Sequence, residues 1–173
     1  AALAAAIFGI TVIRGRTDQE AQRLLAEAMV AMNARVVPAT AAADNAEGVP
    51  AAAQLGAEGS FTTEEAKLNA ALPKLKAAAD AYPDTEQGVT ARYHLAGALA
   101  TLGRHKEAIA EFEQVAQRGG SNSLYGRMAR LGKADTEAKA GQLDAAIATW
   151  KELASSTDED LPKDAILMEL AKA

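Results

Sequence analysis

Two histidines, His94 and His105, and no cysteine stand in the 173 residues, so few groups are able to act as base, nucleophile or metal ligand. Neither histidine belongs to a spacing that would set two imidazoles and a carboxylate on one helix face around a metal. His105 stands just past a turn glycine, Gly103, and both histidines read as packing residues. The missing cysteines exclude a disulfide framework, a thiolate zinc site, an iron–sulfur cluster and a cysteine nucleophile, while leaving the compartment open. Ser121 and Ser123 have no base at a motif spacing, so a serine nucleophile has no support. Gly119-Gly120 is followed by no Gly-Lys-Ser/Thr and preceded by no strand, which makes it a turn and not a phosphate loop. Asp158-Glu159-Asp160 lacks the alternating ligands of a calcium loop. Three acids before Leu161-Pro162 instead suit a helix start, with Pro162 in the first turn and the negative charge near the positive end of the helix dipole. No catalytic, cofactor-binding or metal-binding residue is assigned.

With chemistry set aside, composition decides the class. Eighteen Lys and Arg against 23 Asp and Glu give a net charge of −5, and no basic cluster offsets it, which excludes a nucleic-acid partner. Alanine is about a quarter of the chain and aromatics are 4%. That balance favours closely packed helices over a strand-rich core, so the expected class is all-α.

The order of elements follows from periodicity. Ala1 to Ile13 is apolar apart from Gly9 and Thr11. It is shorter than the roughly 20 residues that span a bilayer. We read residues 1–16 as the C-terminal part of a transmembrane helix, with Arg14 and Arg16 as interfacial anchors; a signal-peptide core or a buried helix are the alternatives. Residues 17–37 continue with helical spacing at Ala21, Leu24, Leu25, Met29 and Met32. Residues 38–61 hold Pro38, Pro50, Gly48, Gly56 and Gly59 without a lasting period, and predict a loop, either a tether or a strap. Thr62 and Glu65 form a capping box with Phe61 as its hydrophobic staple. Helical stripes then recur to residue 173: Leu68, Ala71, Leu72, Leu75 and Ala79; Leu95, Leu99 and Leu102; Ala108, Ile109, Phe112 and Val115; Leu124, Met128 and Leu131; Leu143, Ala146, Ile147, Trp150 and Leu153.

These stripes repeat. Gly103, Ala108, Ile109 and Phe112 match Gly141, Ala146, Ile147 and Trp150 at one offset of 38 residues, and Ala96 matches Ala134. A weaker copy places Ala71, Leu75, Ala78 and Pro83 earlier in the chain. Glycine supplies the left-handed turn between two helices, alanine their close approach, and the aromatic ring fills the space between pairs. Trp150 is therefore core. The pattern resembles the tetratricopeptide repeat over residues 62–173: a small residue in the first helix, glycine at the turn, alanine and an aromatic in the second helix, and proline near its end. Tyr82-Pro83-Asp84 followed by Ala91 to Leu95 is similar to the junction between repeats in bacterial envelope members. The layout of anchor, helix, insert and repeats is similar to the family of the ancillary Sec-translocon subunit. Departures are the long offset, which implies an extended turn at Gly119 to Ser123, and Arg130, Lys133 and Glu137 at positions the family fills with apolar residues.

The resemblance implies stacked antiparallel helical hairpins whose first helices line a concave, protein-binding face. Its groove positions would be Thr90, Tyr93, Gly97 and Thr101 from one hairpin and Met128, Leu131, Asp135 and Lys139 from the next; Met128 and Leu131 could equally pack the neighbouring hairpin. The implied function is a non-enzymatic membrane-anchored scaffold, without cofactor, that docks subunits of a membrane complex or translocating polypeptides. The alternative is a regulatory or targeting domain of an enzyme whose catalytic part lies outside these residues. The resemblance points to a single-pass protein of the inner membrane with periplasmic repeats, whereas Arg14, Arg16 and Arg23 beside the apolar run favour the cytoplasmic side.

Overall fold

A computed structural model describes residues 2–37, 60–120, 123–156 and 162–173, with side chains from Arg16 onward. The fold is all-α. Its helices are α1 (Ala2–Met32), α2 (Glu64–Ala81), α3 (Glu86–Thr101), α4 (His105–Arg118), α5 (Leu124–Lys139), α6 (Leu143–Ser155) and α7 (Lys163–Lys172). Two short strands, β1 (Arg35–Val36) and β2 (Ser60–Phe61), pair in parallel. The expected loop 38–61 therefore ends in strand, because Val36 and Phe61 suit an extended, half-buried ladder that Val37 extends by donating its N–H to the Phe61 carbonyl at 2.8 Å.

α1 runs unbroken from the apolar stretch into the amphipathic one. Among the described residues no helix is long and apolar enough to cross a membrane. The second half of α1 buries Ala21, Ala28 and Ala31. It packs along α2 and also against α3, so residues 17–32 share a core with the helices that follow 62. Leu24 and Leu25 rest on Ala78, Ala79 and Ala91.

Each later helix packs on its successor, and α3 also meets α5. Besides the small cluster under Leu24 and Leu25, three larger apolar clusters follow one another along the chain. Leu68, Leu75, Leu95 and Leu99 close the first with Ala28 and Ala31. Val89, Phe112, Val115 and Ala129 make the second, and Trp150, Leu153 and Ile166 the third. Most residues of the expected stripes belong to these clusters; Ile109 and Met128 are half-buried outside them, and Leu124 and Leu143 are exposed.

The turns repeat at bond level. Gly103 and Gly141 take φ of 73° and 79°, the left-handed region that costs glycine little. In each, the residue after the glycine donates back across the last helical turn, Arg104 to the Leu99 carbonyl at 2.9 Å and Gln142 to the Glu137 carbonyl at 2.8 Å. These bonds satisfy carbonyls that a helix end would leave orphaned.

The starts of α3 and α5 repeat as well. Thr85 and Ser123 are N-caps whose hydroxyls accept from the Gly88 and Gly126 N–H at 3.1 and 2.9 Å, and donate to the Tyr82 and Gly120 carbonyls. A Cβ at Gly88 would lie 1.8 Å from the Tyr82 oxygen, and one at Gly126 would lie 2.0 Å from the Gly120 oxygen. The close approach of chain to helix requires glycine at both places.

Two helix starts differ from expectation. α2 is capped by Thr63, whose hydroxyl accepts from the Ala66 N–H at 3.0 Å, and not by Thr62 with Glu65. With Ser60 and Phe61 held in the strand, the chain turns into the helix one residue later, which places Glu64 and Glu65 together in the first turn. Pro162 is the N-cap of α7 and not a residue of its first turn. Asp158-Glu159-Asp160 lies outside the described residues, as do Ser121 and Asn122 of the expected extended turn; Gly120, at φ 81°, begins that turn.

Candidate interaction groove

The three polar residues that depart from the repeat pattern, Arg130, Lys133 and Glu137, are held by neighbours. Lys133 reaches Glu113 of α4 at 2.7 Å and Glu137 at 3.5 Å, and Arg130 reaches Glu152 of α6 at 3.1 Å. α5 thus joins α4 and α6 through charge where apolar contacts would otherwise stand. Arg92, one repeat earlier, is buried, and its guanidinium is divided among Asp80 of α2 at 2.8 Å, Glu111 of α4 at 2.6 Å and the Ala79 carbonyl at 3.1 Å. Burial works against the charged guanidinium, but hydrogen bonds to Asp80 and Glu111 hold its pKa above the ordinary value. The network clamps α2, α3 and α4 together.

The residues expected at the groove divide into two groups. Tyr93, Met128, Leu131 and Asp135 come together in a cavity of about 350 Å³ that Leu124, Arg127, Gly132 and Pro162 complete. Leu131, Asp135 and Lys139 also line an adjoining cavity of about 430 Å³ with Ala138, Trp150, Ala165 and Glu169. Both volumes fall in the range of pockets that take a side chain or small ligand. Thr90, Gly97 and Thr101 line neither. Thr101 is exposed and its hydroxyl donates to the Gly97 carbonyl at 3.0 Å; nothing lies within 4 Å of a Cβ built on Gly97.

The elements position these side chains through aromatic contacts. Tyr93 of α3 meets Phe112 of α4 edge-on at 5.8 Å and Tyr125 of α5 at 5.7 Å, so one wall of the first cavity is fixed by the second apolar cluster. Phe112 in turn needs Gly132, where a Cβ would come 2.7 Å from the ring. Trp150 is buried as expected, yet its Nε1–H donates to the Asp135 Oδ1 at 3.1 Å, which ties a core ring to a groove carboxylate. Burial raises the Asp135 pKa; the Trp150 hydrogen bond opposes this, Glu169 adds to it and Lys139 subtracts. Burial also pushes the Tyr93 phenol up, with Tyr125 and Asp135 contributing.

Glu169, Ala165 and Pro162 of the α7 region were not among the expected groove residues. The stripe around Asp164 to Ala173 carries no partner signal of its own, and only the arrival of α7 on α6 brings it to the cavity. Leu124, expected in a core stripe, is instead 55% exposed at the cavity edge.

Neither histidine lines either cavity. Burial lowers the His94 pKa, and its ring meets Tyr93 at 5.7 Å. His105 opens α4 beside Arg104 and Glu107, which bind each other at 2.7 Å. Among the described residues no three His, Asp or Glu side chains are grouped to hold a metal ion. Ser123 Oγ is engaged at both ends in capping α5. What the arrangement offers chemically is binding: two adjoining apolar cavities that meet at one carboxylate. Comparison with protein-family models, curated proteins and solved structures gives no match.

Proposed function

We propose that the chain is a membrane-anchored, non-enzymatic scaffold of the tetratricopeptide type, built of stacked antiparallel hairpins, that docks a protein segment across α3, α5 and α7. The pairs would be α1 with α2, α3 with α4, and α5 with α6, with α7 opening a fourth. Support comes from the order of helix contacts, in which α3 touches α1 and α5 as well as its sequence neighbours, and from turns and caps that recur 38 residues apart. The observation that carries the docking role is the pair of cavities sharing Leu131 and Asp135 on one helix. A surface with apolar walls and one half-buried charge recognises a polypeptide side chain by side chain.

The apolar run Ala1 to Ile13, continuous with α1, supports attachment to the inner membrane. The periplasmic side for the helical domain rests on the family resemblance alone, since Arg14, Arg16 and Arg23 favour the cytoplasmic side. In that setting the chain serves as an accessory or assembly subunit of a membrane complex, or as a chaperone-like factor beside a translocon. A photo-crosslinking residue placed at Met128 in membranes should capture a defined protein partner, and one placed at Lys106 should not. Recovery of the monomer alone from solubilised membranes, with no adduct at Met128, would overturn the scaffold reading. A reporter fused after residue 173 that is active only in the cytoplasm would overturn the orientation.

A further inference from the structure

The junction of the two cavities sets them apart from an ordinary apolar groove. Leu131 and Asp135 line both, and the half-buried Asp135 carboxylate sits among Tyr93, Met128, Leu131 and Trp150. The Trp150 N–H engages one oxygen. A carboxylate has about four acceptor positions, so this one, which lines both cavities, keeps acceptor capacity beyond the Trp150 bond. The second cavity holds two acids, Asp135 and Glu169, against one base, Lys139, which is exposed; Arg127 lines only the first. Glu169 is close enough for its charge to help raise the Asp135 pKa, and the field of Asp135 extends to the Tyr93 phenol.

We propose that the groove selects a polypeptide segment in which an Arg or Lys is flanked by bulky apolar residues, an inference that rests on the docking role above. The cationic head sits between Asp135 and Glu169, its stem lies along Leu131 and Ala165, and an apolar neighbour fills the cavity of Tyr93, Met128 and Leu124. Glu169 already pairs with Lys172 of the same helix at 2.7 Å, so the bound cation chiefly relieves the burial of Asp135, whose described hydrogen-bond donor is the neutral Trp150 N–H. Arginine is favoured over lysine, since its planar fork can meet two carboxylates and rest against an aromatic wall. The net charge of −5 favours encounter with such a segment.

The test uses the whole 173-residue chain in detergent micelles and three fluorescein-labelled peptides, Leu-Leu-Xaa-Leu-Leu with Arg, Gln or Glu at the centre, followed by anisotropy. The Arg peptide should bind about tenfold more tightly than the Gln peptide, with the Glu peptide weakest. Asp135→Asn keeps an acceptor for Trp150 and should bring the Arg and Gln peptides to within about twofold of each other. Glu169→Gln should reduce the preference in part, and a thermal melt of each variant separates loss of selection from loss of fold. Equal binding of all three peptides, weakened by Leu131→Asp, would overturn the cation preference and leave the docking role standing. Failure of every peptide to bind would overturn both.

Discussion

The α3–α4 and α5–α6 hairpins are built alike where the backbone turns and differently where one helix meets the next. Thr85 and Ser123, Gly88 and Gly126, Gly103 and Gly141, Ala108 and Ala146 occupy matching places because a cap, a close approach or a left-handed turn admits few residue types. At Leu95 and Leu99 the first hairpin buries leucines against α1 and α2, whereas the second has Lys133 and Glu137 there, paired with each other and with Glu113. Gly97 and Thr101 are likewise replaced by Asp135 and Lys139. The conformational positions define a repeat, and the positions between them distinguish a hairpin that packs from one that also presents a groove.

The largest expected effect tests the shared part. Phe112 and Trp150 are both buried between helices, and truncating either to alanine should cost about 3–5 kcal/mol in urea denaturation of the whole chain. Trp150→Phe separates the ring from its N–H: it should preserve most of the packing while freeing Asp135 from its described hydrogen-bond donor. A small loss for Phe112→Ala beside a large one for Trp150→Ala would mean that the two rings are not equivalent.

Ala108 and Ala146 come next. Both are completely buried, and leucine at either should force helices apart at a cost of about 1–3 kcal/mol. The two values should be similar if the turns set the same helix spacing. The differing part is probed by restoring leucine at Lys133 and Glu137 together, which should be neutral or up to about 1 kcal/mol stabilising, because a partly buried pair gains little over apolar packing. Lys133→Leu alone should be destabilising, since it leaves the Glu137 carboxylate buried without its cation.

How far the amino-acid sequence could be read follows the same division. The glycine turns, the alanine contacts and the burial of Phe112 and Trp150 were readable because each position admits so few side chains. The Thr85 and Ser123 caps were equally readable at the same offset, but two unlike hydroxyl residues hide the match. The charge clamp of Arg92 was not readable, because Asp80 and Glu111 lie 12 and 19 residues away on different helices. The groove was half readable: four expected residues share a cavity, while Trp150 and Glu169 join through tertiary packing that no local period encodes.

Acid should affect the two regions with opposite sign. Asp80 has its pKa lowered by the hydrogen bond from Lys76, opposed by burial and aided by Arg92, so its folded value lies below the unfolded one. Its contribution is present above the unfolded pKa and is lost as pH falls through the folded pKa. Asp135 is raised by burial, so its ionisation costs stability as pH rises through the folded pKa, and below the unfolded pKa that cost is absent. Asp80→Asn should therefore destabilise at neutral pH and lose its effect in acid. Asp135→Asn should stabilise at neutral pH, with a difference from the parent that also fades in acid. Urea midpoints taken across the acid range would check both signs, and a destabilising Asp135→Asn at neutral pH would place that carboxylate with a cationic partner.

The smallest effect is expected at Thr101, and its smallness carries information. Thr101 stands at the end of α3, one repeat before Lys139, exposed and outside both cavities, with its hydroxyl turned back to the Gly97 carbonyl. That local bond competes with solvation of a helix carbonyl and adds little, while alanine has the better helix propensity. Thr101→Ala should change stability by no more than about 0.5 kcal/mol in either direction. It should also leave binding of the Arg-centred peptide unaltered, whereas Lys139→Ala, which removes the one base of the second cavity, should strengthen it. If Thr101→Ala weakened the peptide as much as Asp135→Asn did, the binding face would have to extend along α3. The division between a packing hairpin and a groove-forming one would then give way to a surface shared by both.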